Sequence, residues 1–182
     1  MSANRTRWGW HRLTNEAARR VVADAGVTRG DLVLDVGAGT GAITGPLVDA
    51  GARVIAVELH PRRASALRER FADAPVIVVQ ADAADLRLPR RPFLVVANPP
   101  FGVTTALLRR LLAPRSELVA GHLVLPRHEA RRWAAGRAPG ACRWTRTFDL
   151  DVARTIPGSA FVPRRPVDAL VLRIARVSGV RV

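Results

Sequence analysis

The sequence predicts an α/β fold: a doubly wound, mostly parallel seven-stranded sheet with an antiparallel last strand. Three observations carry that reading. Short apolar runs alternate with helical patterns as far as Leu125, as successive βαβ units require. A glycine-rich turn follows the first apolar run and opens a helix. The chain then closes on two strand patterns separated by a proline-rich loop, which suits an antiparallel hairpin. With 182 residues, 48% of them hydrophobic, one domain with a sizeable core is expected, and two would be cramped. We divide it into an N-terminal segment and helix (1–28) and a core (29–176).

The elements follow in order. Thr14 suits the N-cap of a helix through Ala23 that ends near Gly26. Asp31 to Val36 reads as a buried parallel strand, followed by the glycine turn and a helix to about Ala50. Arg53 to Glu58 is the second strand, and Pro61 opens a helix to about Phe71. Val76 to Val79 and Phe93 to Ala97 are the third and fourth strands. Thr104 to Leu112 is helical, Leu118 to Leu125 is the fifth strand, and Pro126 starts a basic helix. Thr147 to Thr155 and Val167 to Ala175 complete the set.

Charge narrows the partners. The net charge is +14, from 29 basic and 15 acidic residues, and every basic residue is arginine. GC-rich codon usage accounts for arginine in place of lysine but not for the excess, which points to a polyanion such as nucleic acid. A single cysteine excludes an internal disulfide framework and fits a reducing compartment. No signal-peptide core and no apolar run of roughly 20 residues is present, so a soluble cytoplasmic protein without membrane partners is expected.

Four motifs fall where strands of such sheets end, which is where their ligands bind. Asp35-Val36-Gly37-Ala38-Gly39-Thr40-Gly41 departs from the Gly-x-Gly-x-x-Gly dinucleotide spacing. With no pyrophosphate to cradle, it suits a nucleoside bearing an amino-acid tail, approached closely by Gly37, Gly39 and Gly41. Glu58, 17 positions after Gly41, can accept both ribose hydroxyls. Asp82 can accept from an adenine amine. Asn98-Pro99-Pro100-Phe101 is the most specific of the four. An aromatic exocyclic amine is a poor nucleophile because its lone pair is delocalised into the ring. Hydrogen bonds from both its N–H groups to the Asn98 side-chain oxygen and the Pro99 carbonyl draw the nitrogen towards tetrahedral geometry. Pro100 stiffens the turn, and Phe101 offers a ring for an extruded base. Together these residues read as an S-adenosyl-L-methionine-dependent amino-methyltransferase.

Other signals are weaker. His11, His60, His122 and His128 lack metal-ligand spacing, and Cys142 has no neighbouring Cys or His, so no metal is expected. Trp8 and Trp10, beside Arg5, Arg7 and Arg12, suit either stacking or a hydrophobic cap. Arg127 to Trp133 interleaves basic and aromatic residues, which fits either an RNA surface or solvated arginines around a buried tryptophan.

At this point the chain resembles the rRNA adenine N6-methyltransferases, and among them the Erm macrolide-resistance enzymes more than the KsgA dimethyltransferases. The likeness runs from about Trp10 to Arg176. It includes Leu125-Pro126-Arg127-His128-Glu129-Ala130-Arg131-Arg132-Trp133 and the segment from Phe161 through Pro163, Arg164, Arg165 and Pro166 to Ile174. The resemblance implies a class I methyltransferase fold and methylation of one adenine in 23S rRNA, free of the assembled ribosome, by a monomer. That methylation would block macrolides, lincosamides and streptogramin B. By position it implies cofactor contacts at His11, Leu13, Gly37, Glu58, Leu59, Asp82, Ala83 and Asn98. It also implies RNA contacts at Arg127, Arg131, Arg132, Phe161, Arg164 and Arg165. Two departures stand out. The family usually has Gln-Asn-Phe where this chain has Trp10-His11-Arg12. Only Val177 to Val182 follow the last strand, where the family adds a small helical domain: either the sequence is a truncated piece or the catalytic domain works alone.

Three rival readings share these motifs. Protein glutamine methylation also uses Asn-Pro-Pro-aromatic, but the +14 charge and the late proline-rich segment oppose it. DNA adenine methylation lacks a separate target-recognition segment here. A non-catalytic RNA-binding factor need not keep an intact Asn98-Pro99-Pro100-Phe101.

Overall fold

The computed structural model describes residues 11–177. After a two-residue strand β1 (Arg12–Leu13) come α1 (Asn15–Asp24), β2 (Leu32–Val36), α2 (Thr44–Asp49), β3 (Arg53–Val57), α3 (Pro61–Arg70) and β4 (Val76–Val79). These are followed by β5 (Phe93–Ala97), α4 (Thr104–Leu111), β6 (Leu118–Pro126), α5 (Arg127–Ala134), β7 (Phe148–Ile156), β8 (Phe161–Val162) and β9 (Ala169–Arg176). The main sheet has seven strands in the order β4-β3-β2-β5-β6-β9-β7. Its β2, β3, β4, β5 and β6 pair in parallel, and β9 is antiparallel to both neighbours. The last strand thus inserts between β6 and β7, closing the expected hairpin.

Two apolar layers sandwich the sheet. On one face Ala18, Val21, Leu47 and Leu67, from α1, α2 and α3, pack on Val33, Val54 and Val96. On the other, Leu107, Leu108, Leu111 and Trp133, from α4 and α5, pack on Leu34, Val95, Leu123 and Leu172. Fully burying each large aliphatic side chain contributes about 1.5–3 kcal/mol. Thr14 caps α1 as expected, its hydroxyl accepting from the Ala17 amide. Pro126 does not open α5; it is the last residue of β6, and Arg127 begins the helix.

Winding reverses between β2 and β5, which are sheet neighbours although β3 and β4 intervene in the chain. Ligands of such sheets bind in the crevice at this switch point. The glycine turn leaves β2 there, and Asn98 leaves β5 beside it. A short antiparallel ladder, Arg12 with Val162 and Leu13 with Phe161, straps the chain's start to the proline-rich loop. Trp8, Trp10, Arg5 and Arg7 lie outside the described residues. Among the described residues, no helix is long and apolar enough to cross a membrane.

Candidate active site

The crevice is a cavity of about 510 Å³ whose lining includes His11, Asp35, Gly37, Glu58, Asp82, Asn98, Phe101 and Arg165. Sequence positions 87 apart therefore meet at one site. Its floor is glycine by necessity. Gly37 has φ +75, and a Cβ there would lie 2.8 Å from Pro100 Cδ. The turn and the Pro-Pro segment approach so closely that only a bare Cα fits between them. The Gly37 and Ala38 amides donate to the Val57 carbonyl at 2.8 and 3.0 Å, which fixes the turn to the end of β3.

Glu58 is 5% exposed. Its Oε2 accepts from the Gly39 amide and its Oε1 from the His60 amide, each at 2.8 Å. The Arg63 guanidinium stands 3.8 Å from Oε1. Each carboxylate oxygen carries two acceptor sites, so the group is held rigidly and can still accept from a ligand's hydroxyls. Asp82 divides its work: Oδ1 caps the short turn Ala83–Asp85 by accepting from Ala84 N at 2.8 Å. Its other oxygen has no partner within the described residues. The crevice thus offers a glycine floor and carboxylate acceptors for a ligand rich in hydroxyl and amine donors, a fit for a nucleoside. Ala83 and Leu59 line the same wall.

Asp35, in the strand expected to be buried, is 1% exposed beneath the site. Burial pushes its carboxyl from 3.8 up to about 7, with the neighbouring Glu58 charge adding to the rise. The Thr44 hydroxyl, donating to Asp35 Oδ2 at 2.7 Å, opposes the rise.

Asn98 shows how the amine site is oriented. Its Nδ2 donates to the His11 carbonyl at 2.8 Å. That bond fixes which way the amide points and leaves Oδ1 as the acceptor. The Pro99 carbonyl accepts no hydrogen bond among the described residues. Phe101 begins a short turn, Phe101–Val103, that is closed by the Thr104 hydroxyl donating to the Phe101 carbonyl at 3.0 Å. The contribution of His11 therefore comes through its main chain, and its ring Nδ1 lies 3.2 Å from the Pro163 carbonyl.

The other expected site residues sit in several different places. Gly41 does not line the crevice: a Cβ there would lie 2.7 Å from Phe71 Cε2, so this glycine lets the turn pack on α3. Leu13 borders the site, but its side chain is 1% exposed and belongs to the core. Phe161, expected to meet RNA, is 2% exposed and packs in that same core. Trp133, also 2% exposed, pairs with Trp144 at 5.7 Å between ring centroids, so the arginines of α5 surround a buried tryptophan. Arg131, Arg132 and Arg164 are exposed. Arg127 stands 3.5 Å from Asp168. Arg165, expected to meet RNA, lines the crevice itself.

The family model for ribosomal RNA adenine dimethylase matches residues 1–179. An rRNA adenine N-6-methyltransferase from Corynebacterium diphtheriae is 31% identical over 177 residues, covering 96% of this chain and 69% of that protein. A ribosomal RNA small subunit methyltransferase A from a Synechococcus strain is 32% identical over 187 residues, covering 93% and 66%. The crystal structure of the 23S rRNA methyltransferase ErmE is similar with a TM-score of 0.79 at 28% identity, covering 93% of this chain and 70% of that one. The chain thus spans 66–70% of the length of these three proteins.

Proposed function

The chain belongs to the ribosomal RNA adenine dimethylase family, the S-adenosylmethionine-dependent rRNA adenine methyltransferases; from that premise we propose that it methylates the exocyclic N6 of an adenine in 23S rRNA not yet packed into a ribosome. We also propose that the modification confers resistance to macrolides, lincosamides and streptogramin B. The observation that carries the chemistry is the Asn98–His11 hydrogen bond, which leaves an amide oxygen and the unpaired Pro99 carbonyl as two acceptors at one crevice.

Gly37, Gly39, Glu58, Asp82 and Ala83 would hold S-adenosylmethionine, which supplies an electrophilic methyl group when bound. The remaining work falls to the chain. Asn98 Oδ1 and the Pro99 carbonyl accept the two N–H groups of the adenine amine and localise the nitrogen lone pair. Because these acceptors are fixed before the base arrives, little reorganisation is left for the reaction itself. Phe101 offers its ring to the extruded base, a stack typically worth about 1–3 kcal/mol. Exposed Arg131, Arg132 and Arg164 contact phosphates, which position the RNA without reading its sequence.

The 23S rRNA methyltransferase ErmE and the Synechococcus small-subunit methyltransferase A each match 93% of this chain, so the two substrates are separated by assay. Two assays test the proposal. Labelled methyl should pass to naked 23S rRNA in preference to naked 16S rRNA. Expression in a macrolide-sensitive bacterium should raise its resistance to a macrolide. Preference for 16S rRNA with unchanged drug sensitivity would favour the small-subunit activity instead.

A further inference from the structure

Arg165 lies in the loop between β8 and β9, with its backbone pinned and its side chain, among the described residues, set against aromatic rings without a hydrogen-bond acceptor. Its amide donates to the Gly158 carbonyl at 3.0 Å, and the Gly158 amide donates to Asp168 Oδ1 at 3.0 Å. A Cβ on Gly158 would lie 2.3 Å from the Arg165 carbonyl oxygen, so the loop is closed tightly against a bare glycine. The guanidinium carbon sits 4.1 Å from the centroid of the Phe101 ring and 5.2 Å from that of Phe161. Among the described residues its Nη1 is buried without a hydrogen-bond partner. Two other partly buried arginines spend their donors: Arg110 on Ala84 O and Arg176 on Leu118 O. Burial also draws the Arg165 guanidinium below its ordinary pKa.

A cation at 4.1 Å from a ring centroid occupies the layer a stacked base would fill. Guanidinium and adenine therefore compete for that face of Phe101. We propose that Arg165 is a placeholder for the target adenine, and that it leaves Phe101 when the base enters to pair with a backbone phosphate flanking the extruded nucleotide. This rests on the rRNA adenine reading above and names a positioning residue for it. The exchange satisfies both partners: Phe101 trades one planar group for another, and Nη1 gains an anionic acceptor. Since the loop backbone is held by main-chain bonds and Asp168, the side chain can turn without unfolding the loop.

The test uses the whole chain with S-adenosylhomocysteine and an rRNA hairpin carrying the target adenine. The phosphate on either side of that adenine is replaced in turn by a neutral methylphosphonate. Wild type should lose affinity roughly tenfold or more at one of the two positions, as expected for a hydrogen bond to a charged group. Arg165→Ala should bind the neutral and charged hairpins alike, whereas Arg165→Lys should keep much of the loss. Equal losses in wild type and Arg165→Ala, or no loss at either position, would overturn the phosphate partner. Nuclear magnetic resonance reads the other half. The Arg165 Nε–H signal, shielded by the Phe101 ring in free protein, should lose that shielding in the complex, and persistent shielding would overturn the exchange. A wild-type protein that methylates the hairpin but shows no such coupling defeats this inference alone. One that neither binds nor methylates it defeats the functional reading as well.

Discussion

Replacing Asn98 by alanine separates chemistry from binding. The substitution removes the Oδ1 acceptor from the amine site and leaves the His11 carbonyl without its 2.8 Å donor. Losing one preorganised partner at a reacting group typically costs 10²–10³ in rate, about 2.7–4 kcal/mol. The lost bond to His11 is a ground-state matter worth about 0.5–1.5 kcal/mol of stability. It loosens the β1 strap without touching the phosphate contacts. Single-turnover methylation of rRNA at saturating cofactor should therefore fall by at least a hundredfold, with RNA affinity within about threefold of wild type. Asn98→Asp refines the test. It keeps an oxygen where Oδ1 was but sets a second one against the His11 carbonyl, so its stability should drop more than that of Asn98→Ala. Single-turnover rates for Asn98→Ala within threefold of wild type would refute the assignment of the amine site.

Gly37→Ala should abolish cofactor binding measured by calorimetry, because its Cβ meets Pro100 at 2.8 Å; Gly41→Ala, clashing with Phe71 instead, should chiefly lower the melting temperature. Glu58→Ala should weaken S-adenosylhomocysteine binding more than Asp82→Ala, which should cost about 1–3 kcal/mol, because Glu58 also holds the Gly39 and His60 amides. The buried Asp35 gives a pH signature: its carboxyl keeps a proton up to about 7 when folded but releases it near 3.8 when unfolded. The folded state then binds more protons between those values, so stability falls as pH rises from about 4 to 7, by at most on the order of 4 kcal/mol. Urea unfolding of Asp35→Asn should show a flatter profile across that window, and an unchanged slope would contradict the assignment.

Much of this was legible in the sequence because its signals are local. Val33, Leu34, Val54, Val95 and Val96 fall in short apolar runs of strand length rich in β-branched residues, and Gly37 sits in a turn that needs positive φ. Asn98-Pro99-Pro100-Phe101 could be located because its chemistry is concentrated in four neighbouring residues. Long-range packing was not visible. The β1–β8 ladder is two residues long, too short to leave a periodic pattern, yet it carries the His11 carbonyl to Asn98. Phe161 looks like an exposed aromatic among arginines, and Trp133 is open to either reading; the sheet's three-dimensional closure buries both. Gly41 resembles Gly37 in sequence, and the difference between them is which neighbour, Phe71 or Pro100, lies beyond the missing Cβ. The burial of Asp35 followed from its strand, but the rise of its carboxyl also depends on Glu58, 23 positions away, which no local pattern shows.

The central claim is that the crevice between the Gly37 turn and Asn98 directs methyl transfer to an adenine N6. Its most direct test is mass-spectrometric identification of the nucleoside formed when naked 23S rRNA is incubated with the purified chain and isotopically labelled S-adenosylmethionine. N6-methylated or N6,N6-dimethylated adenosine carrying the label, absent with Asn98→Ala, is the expected result. Label on any other base or ring position, or RNA binding with no transfer at all, would contradict it.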